Sequence, residues 1–280
     1  MTTPAFIRHP QPMTGAEDPA LVRVTSLGRM PSWRLGLLHD RPENVLIWVT
    51  RGQGRVVVNG IRRGFGTHNA MFIPAGTLFS VDASAQCLGL VVTSPAGLTG
   101  RLPGSALHLR ARDTRAQSEL TAQIEAMQRE FTKGRIMLQD ALEAHVRLIA
   151  VWLHRQAAEG TADAPEESAA QRLARTFARL LTRHYASDRS VAGYAEALSV
   201  TPTHLTRACR VACGRTAAEM IAERKLHAAR QMLAEGEAPV MRVAEMLGFQ
   251  SAAYFTRFIR SHTGSSPTDL RRAAGNGLAG

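Results

Sequence analysis

The sequence predicts an α+β chain of two domains, with strands first and helices after. Three observations carry that expectation. Residues 33–92 alternate short apolar, β-rich runs with turns containing Gly or Pro, the pattern of a β-sandwich or small barrel. After about residue 114 the apolar residues recur at helical spacing instead. Near the end, AEMLGFQSAAYFTRFIR (244–260) repeats the outline of AEALSVTPTHLTRACR (195–210).

Taken in order, Val45 to Val49 is an apolar run that ends at the turn Arg51-Gly52-Gln53-Gly54. The strand Val56-Val57-Val58 closes on Asn59-Gly60, a strong two-residue hairpin signal. Met71-Phe72-Ile73, the turn Pro74-Ala75-Gly76 and a strand from Leu78 follow. Leu120, Ile124, Met127 and Phe131 then mark one face of a helix that Gly134 interrupts. A second helix is expected from about Ile136 to Gln156, with Leu138, Leu142, Ile149, Trp152 and Leu153 on its apolar face. The small, acidic segment 157–170 reads as a linker between a first domain at 1–156 and a second at 171–280.

The formal net charge is +11. Residues 171–280 hold 16 Arg or Lys against 8 Asp or Glu, so a surplus of 8 sits in this one part. Such a balance favours polyanions, because each cation placed on a phosphate releases a condensed counterion. Three cysteines, Cys87, Cys209 and Cys213, suit a reducing compartment better than a disulfide framework. Neither the opening residues nor any later stretch offers the apolar run of a signal peptide or membrane span. A cytoplasmic protein with no membrane contact is the expectation.

Placed in register, the repeat has the requirements of a helix-turn-helix twice over. Ala195 and Ala244 let a second helix cross closely. A turn follows at Ser199 or Gly248, of which glycine alone takes positive φ at little cost. Thr201, followed by Pro202, and Ser251 are the expected N-caps of the second helices. Leu205 and Ala208, and Phe255 and Phe258, should point inward. That leaves Thr203, Thr206, Arg207 and Arg210 facing outward in the first copy. In the second, Gln250, Ser251, Ala252, Ala253, Thr256, Arg257 and Arg260 are the corresponding DNA-binding candidates. Arginine can grip guanine O6 and N7 together, threonine a base edge, and alanine the thymine methyl. Between the copies, Thr216 and Glu219 form a capping box that opens a helix of about 19 residues, near 28 Å long. Its buried stripe is Met220, Leu226, Ala229 and Leu233. With one DNA turn near 34 Å, helices at about 202–212 and 251–261 could enter successive major grooves.

Over about residues 171–273 the chain resembles the AraC/XylS family of bacterial transcription regulators. The likeness lies in ERKLHAARQMLAEG, in VAEMLGFQSAAYFTRFIRSHTGSSPTDLRR and in the doubled motif itself. It implies a sequence-specific DNA-binding regulator, an effector-responsive activator that meets RNA polymerase. Three positions depart from the family pattern: Cys209 and Ile259 stand where a buried Phe is usual, and Ser199 where Gly is usual. GQGRVVVNG and FIPAGT carry a weaker resemblance to the family's cupin-like sensor barrel. That likeness implies a cupin-like β-barrel that binds a small-molecule effector, followed by helices at about 116–156 that form a homodimer or simply cover the barrel. Trp33, Arg34, His39, Trp48, His68 and Phe79 are the candidate effector residues, with packing of the barrel as the other reading of each.

Two rival functions fit parts of the chain: a cupin-type enzyme carrying a DNA-binding tail, and an architectural protein that coats DNA without sequence preference. Metal-binding cupins carry an H-x-H pair with a carboxylate, whereas HDRPENVLIWVTRGQG supplies only His39, Asp40 and Glu43. No metal, cofactor or catalytic residue is therefore expected, and the chain is read as a non-enzyme.

Overall fold

The structure is a computed structural model that describes residues 21–98, 102–160 and 167–277. A five-stranded antiparallel sheet has the order β1-β7-β2-β5-β8, built from Arg23–Ser26, Leu88–Pro95, Glu43–Arg51, Asn69–Ile73 and Leu107–Arg110. A three-stranded sheet has the order β4-β3-β6, from Ile61–Phe65, Gly54–Val58 and Phe79–Ala83. The Asn59-Gly60 hairpin forms as its sequence dictates, with φ of 50° and 74° and Val58 paired to Ile61.

Strand β2 shows why ENVLIWVTR is apolar without alternation: it is buried on both faces. Val45, Ile47 and Val49 pack between the two sheets with Val56, Phe65, Ile73 and Phe79. Leu46 and Trp48 point the other way, into α2 (Thr114–Lys133) and α3 (Leu138–Ala158). There they meet Leu120, Ile124, Met127, Leu142, Ile149 and Trp152. The two helices therefore cover the large sheet. Phe131, expected on the inner face of α2, is 51% exposed in its last turn, next to the Gly134 cap and past the reach of the sheet. The short helix α1 (Ser32–Gly36) is not signalled by periodicity, since five residues are too few to show one.

The expected linker at 157–170 falls partly on residues 161–166, outside the described residues, and both its ends are helical. Helix α3 runs to Ala158, and α4 (Ala169–His184) starts from a capping box between Ser168 and Gln171. Then come α5 (Val191–Ala197), α6 (Pro202–Cys213), α7 (Ala217–Glu235), α8 (Val240–Met246), α9 (Ala252–Thr263) and α10 (Pro267–Gly277).

By compactness the chain divides near the middle of α7: one unit extends through His227 and the other begins at Ala228. Local contacts join the helices up to His227 to the β-sandwich. A Cβ on Gly60 would lie 2.8 Å from the Ala174 carbonyl oxygen, so the β3–β4 turn and α4 meet backbone to backbone. Arg215, between α6 and α7, donates to Ser80 Oγ at 2.9 Å. The first helical motif thus belongs to the same unit as the β-sandwich.

Candidate nucleic-acid interface

The two copies of the repeat fold alike down to single hydrogen bonds. In α5–α6 the Val200 amide donates to Ala195 O at 3.0 Å, and in α8–α9 the Phe249 amide donates to Ala244 O at 3.0 Å. Thr201 Oγ1 accepts from the His204 amide and Ser251 Oγ from the Tyr254 amide, each at 3.2 Å, so both expected caps form. Each second helix ends on a left-handed glycine, Gly214 or Gly264, whose amide donates 2.9 Å to the carbonyl of Arg210 or Arg260. The likeness continues past the motifs themselves. Thr216 with Glu219 and Ser266 with Asp269 are matching capping boxes that open α7 and α10.

The cores of the motifs account for the departures from the family pattern. Leu205, Ala208 and Cys209 are all buried on α6, so the thiol fills the anchor position. Burial pushes the Cys209 thiol up to about 12 and raises Cys213 as well, which keeps both protonated and inert. On α9 the buried pair is Phe255 and Ile259, not Phe255 and Phe258. Phe258 is half-buried, between Phe249 at 5.1 Å and His262 at 4.5 Å, because residues 255 and 259 are one turn apart and share the inward line. In α7, Met220, Leu226, Ala229 and Leu233 are buried as expected.

The outward faces carry the charge. Thr203, Arg207 and Arg210 are exposed on α6, Thr206 is half-buried, and together with Pro202 and Val211 they line one shallow groove. On α9, Ala253, Arg257 and Arg260 are exposed and Ala252 and Thr256 half-buried, with Gln250 and Ser251 exposed just before the helix. Arg207, Arg210, Arg257 and Arg260 form no ion pair among the described residues. Exposed arginines elsewhere do: Arg115 pairs with Glu119, Arg129 with Glu125 and Arg147 with Glu143. Four cations with no ion pair among the described residues, on the two faces that the motif presents outward, are suited to phosphate and guanine. Tyr254, which sequence reasoning does not single out, is 55% exposed on the same face of α9, and Arg257 lies 6.0 Å over its ring. Its place beside the cap residue, outside the inward spacing of 255 and 259, is the available signal.

The six candidate effector residues fall into two groups by their contacts. Trp48 is fully buried between sheet and helices, donates Nε1–H to Thr121 Oγ1 at 3.1 Å, and stacks on His68 at 5.8 Å. Trp33, Arg34, His39 and Phe79 gather instead where α1 and β6 meet α7. The carboxylates considered beside His39 are engaged: Asp40 with Arg224 and Glu43 with Arg41. Among the described residues, no three His, Cys, Asp or Glu side chains are grouped so as to hold a metal ion. No described helix is long and apolar enough to cross a membrane.

The family model described as "Helix-turn-helix domain" matches residues 194–273, the span of both motifs. No curated protein matches the chain. Among solved structures, the chain is similar to an apo form of a ToxT variant from Vibrio cholerae strain SCE256, at 14% identity and a TM-score of 0.45, over 89% of this chain and 96% of that one. It is also similar to the C-terminal domain of AraT, a response regulator from Geobacillus stearothermophilus, at 24% identity and a TM-score of 0.36, over 38% of this chain and 88% of that one. A DNA-binding transcriptional dual regulator from Escherichia coli K-12 aligns at 20% identity and a TM-score of 0.34, over 41% and 98%. Those superpositions are loose. What the family model shows is a helix-turn-helix domain at 194–273, less than a third of the chain.

Proposed function

We propose that the chain is a sequence-specific regulator that reads two adjacent major grooves, with α6 in one and α9 in the next. In this reading residues 171–280 act as the DNA-binding domain and α7 is the spacer. At 19 residues it spans about 28 Å, close to one turn of the duplex. The observation that carries the reading is the set of arginines with no ion pair among the described residues, Arg207, Arg210, Arg257 and Arg260, on the outward faces of two helices capped and cornered in the same way. Arg207 and Arg257 are the base-reading candidates. Ala252 and Ala253 supply methyl contacts, and the exposed start of α9 adds Tyr254. Ser251 is committed through Oγ to its cap, so its contribution is to set the helix start.

The regulatory half of the proposal is an effector-responsive activator working with RNA polymerase in the cytoplasm, with a cupin-like sensor and no catalytic role. The sandwich and the first motif share one compact unit, so a small molecule bound to the sandwich has a direct route to α6. A homodimer through the outer side of α2 and α3 is part of the same reading. Ile136, Met137, Leu148 and Val151 leave an apolar surface there after the sheet has been covered.

Footprinting on genomic fragments with the full chain tests the DNA-binding claim. Discrete protected sites, each with two segments about one helical turn apart, are expected, and diffuse protection would favour an architectural role. On such a site Arg207→Ala is expected to lose about 1–3 kcal/mol and to relax one base position. Binding unaffected by this substitution and by Arg257→Ala would reject the assignment.

A further inference from the structure

The junction between the β-sandwich and α7 contains two buried imidazoles in face-to-face contact. His39 is held by a two-way backbone bridge to Phe79, at 2.9 and 2.8 Å, and its ring is 4.2 Å from that of Phe79. On its other side it stacks on His227 of α7, with centroids 4.2 Å apart and planes within 6°. The two residues are 1% and 6% exposed. Each ring uses one nitrogen: His39 Nδ1 faces Leu37 O at 2.8 Å, and His227 Nε2 faces Arg34 O at 3.2 Å. The second nitrogen of each, His39 Nε2 and His227 Nδ1, is buried with no partner among the described residues.

We propose that His39 and His227 form a proton-sensitive latch, which docks α7 and the first helix-turn-helix motif on the β-sandwich while both rings are neutral and releases them when the rings become charged.

The surroundings determine the sign. On the sandwich side the charged groups facing the pair are Asp40, Arg41 and Glu43, and Arg34 presents its carbonyl. On the α7 side they are Glu223 and Arg224, with Arg215 just before the helix. Every carboxylate among them is engaged. Asp40 accepts from Arg224 Nε at 2.7 Å, Glu43 pairs with Arg41 at 3.4 Å, and Glu223 pairs with Arg215 at 2.9 Å while accepting the Leu38 amide at 3.2 Å. Arg224 also lies 3.5 Å over the Tyr185 ring, a position from which it cannot move without breaking the Asp40 pair. A proton on either orphan nitrogen would therefore find no acceptor, and would place a cation among Arg41, Arg224 and the facing ring.

Burial, followed for His39 by Arg41 and Arg224, holds that imidazole down to about 3, and burial and the neighbouring His39 and Arg224 hold His227 well below its usual range. Once undocked, both rings return to the ordinary value near 6.5. A base whose docked pKa is depressed favours docking in full above that ordinary value and loses it as pH falls below. The loss is small between pH 7.5 and 6.5 and steeper over the next unit, about tenfold per ring in all, hence roughly 100-fold for the pair between pH 7.5 and 5.5.

The Leu38 amide reports the junction directly, because its acceptor is Glu223 of α7. Its hydrogen exchange in the full chain, corrected for the intrinsic pH dependence, should lose about 100-fold protection between pH 7.5 and 5.5. His39→Gln or His227→Gln should reduce that loss to about tenfold, and the double variant should abolish it. His227→Phe keeps a ring in the stack, so it reads the same tenfold prediction even if glutamine leaves the junction undocked at pH 7.5. Protection in the wild-type chain that does not change with pH would overturn the latch. So would an undiminished 100-fold loss in His227→Phe, which would place the proton uptake outside the stacked pair. Neither readout depends on DNA binding.

Discussion

Ser199 and Gly248 occupy the same left-handed corner of the two motifs, at φ of 54° and 71°, and each donates its amide to the glutamate three residues back, at 2.9 and 3.0 Å. A serine there holds a conformation that costs an L-residue about 1–2 kcal/mol, whereas glycine reaches it without strain but loses more chain entropy, about 0.5–1 kcal/mol. Ser199→Gly should therefore stabilise the first motif by about 0.5–1 kcal/mol, and Gly248→Ala should destabilise the second by about 1 kcal/mol or more. Calorimetric unfolding of the two variants checks both signs. The same sign for both would mean that the corners are not equivalent.

The caps give a second paired prediction. Thr201 and Ser251 each satisfy one amide at the start of a second helix, and their loss should cost about 1 kcal/mol apiece. The outward residues of α6 and α9 begin within one turn of these caps. Thr201→Ala and Ser251→Ala should thus weaken DNA binding more than an equally destabilising change at the far ends of the helices, such as Gly264→Ala. Titrations of a footprinted site, compared with urea unfolding of the same variants, separate the two effects.

How far these features can be read in advance follows from the range of the forces involved. The caps, the Asn59-Gly60 hairpin, the capping box at Thr216 and the buried stripe of α7 are local, so a few residues of sequence decide each one. Strand β2 is readable as a strand, but not as one buried on both faces, since that depends on which helices later cover the sheet. The candidate effector residues divide for the same reason. Trp48 is taken up by Thr121 and α2, and His39 by a histidine 188 positions further on, neither of which leaves a mark nearby in the chain. Phe258 gives way to Ile259 because one-residue phase errors on a helix are settled by the tertiary partner, not by side-chain type.

Trp48 provides a stability test that spares the DNA face. Its fully buried indole donates N–H to the half-buried Thr121 Oγ1, its one hydrogen-bond partner among the described residues. Thr121→Val preserves the volume and removes the acceptor, so it should cost about 1–3 kcal/mol. Urea unfolding followed by tryptophan fluorescence measures the loss, and affinity for a footprinted site should stay within error of the wild type. A fall in affinity of equal size would mean that sandwich stability and DNA binding are not separable.

The proposed dimer makes a definite demand on α2 and α3. Ile136 is 96% exposed, Met137 70% and Leu148 52%, after the inner residues of both helices have been spent on the sheet. If a second copy covers this surface, Ile136→Glu and Leu148→Glu together should halve the mass found by light scattering at micromolar concentration. Unfolding in urea should stay otherwise normal, because neither side chain contributes to the core. A wild-type chain that is monomeric at these concentrations would remove the dimer from the functional reading.

Salt separates sequence reading from simple charge attraction. Binding that neutralises phosphates should weaken linearly on a log–log plot, with a slope of about −0.9 per phosphate, and six or more contacts would cost on the order of 10³-fold between 50 and 200 mM salt. If Arg210 and Arg260, toward the C-terminal ends of α6 and α9, meet phosphates, each alanine variant should flatten that slope by about one while leaving the sequence preference intact. Arg207 and Arg257, nearer the helix starts, should behave in the opposite way, with an altered base preference and a slope changed less. Equal flattening by all four would reduce α6 and α9 to charged surfaces, whereas a split between the inner and outer pairs would show that both helices enter their grooves start first.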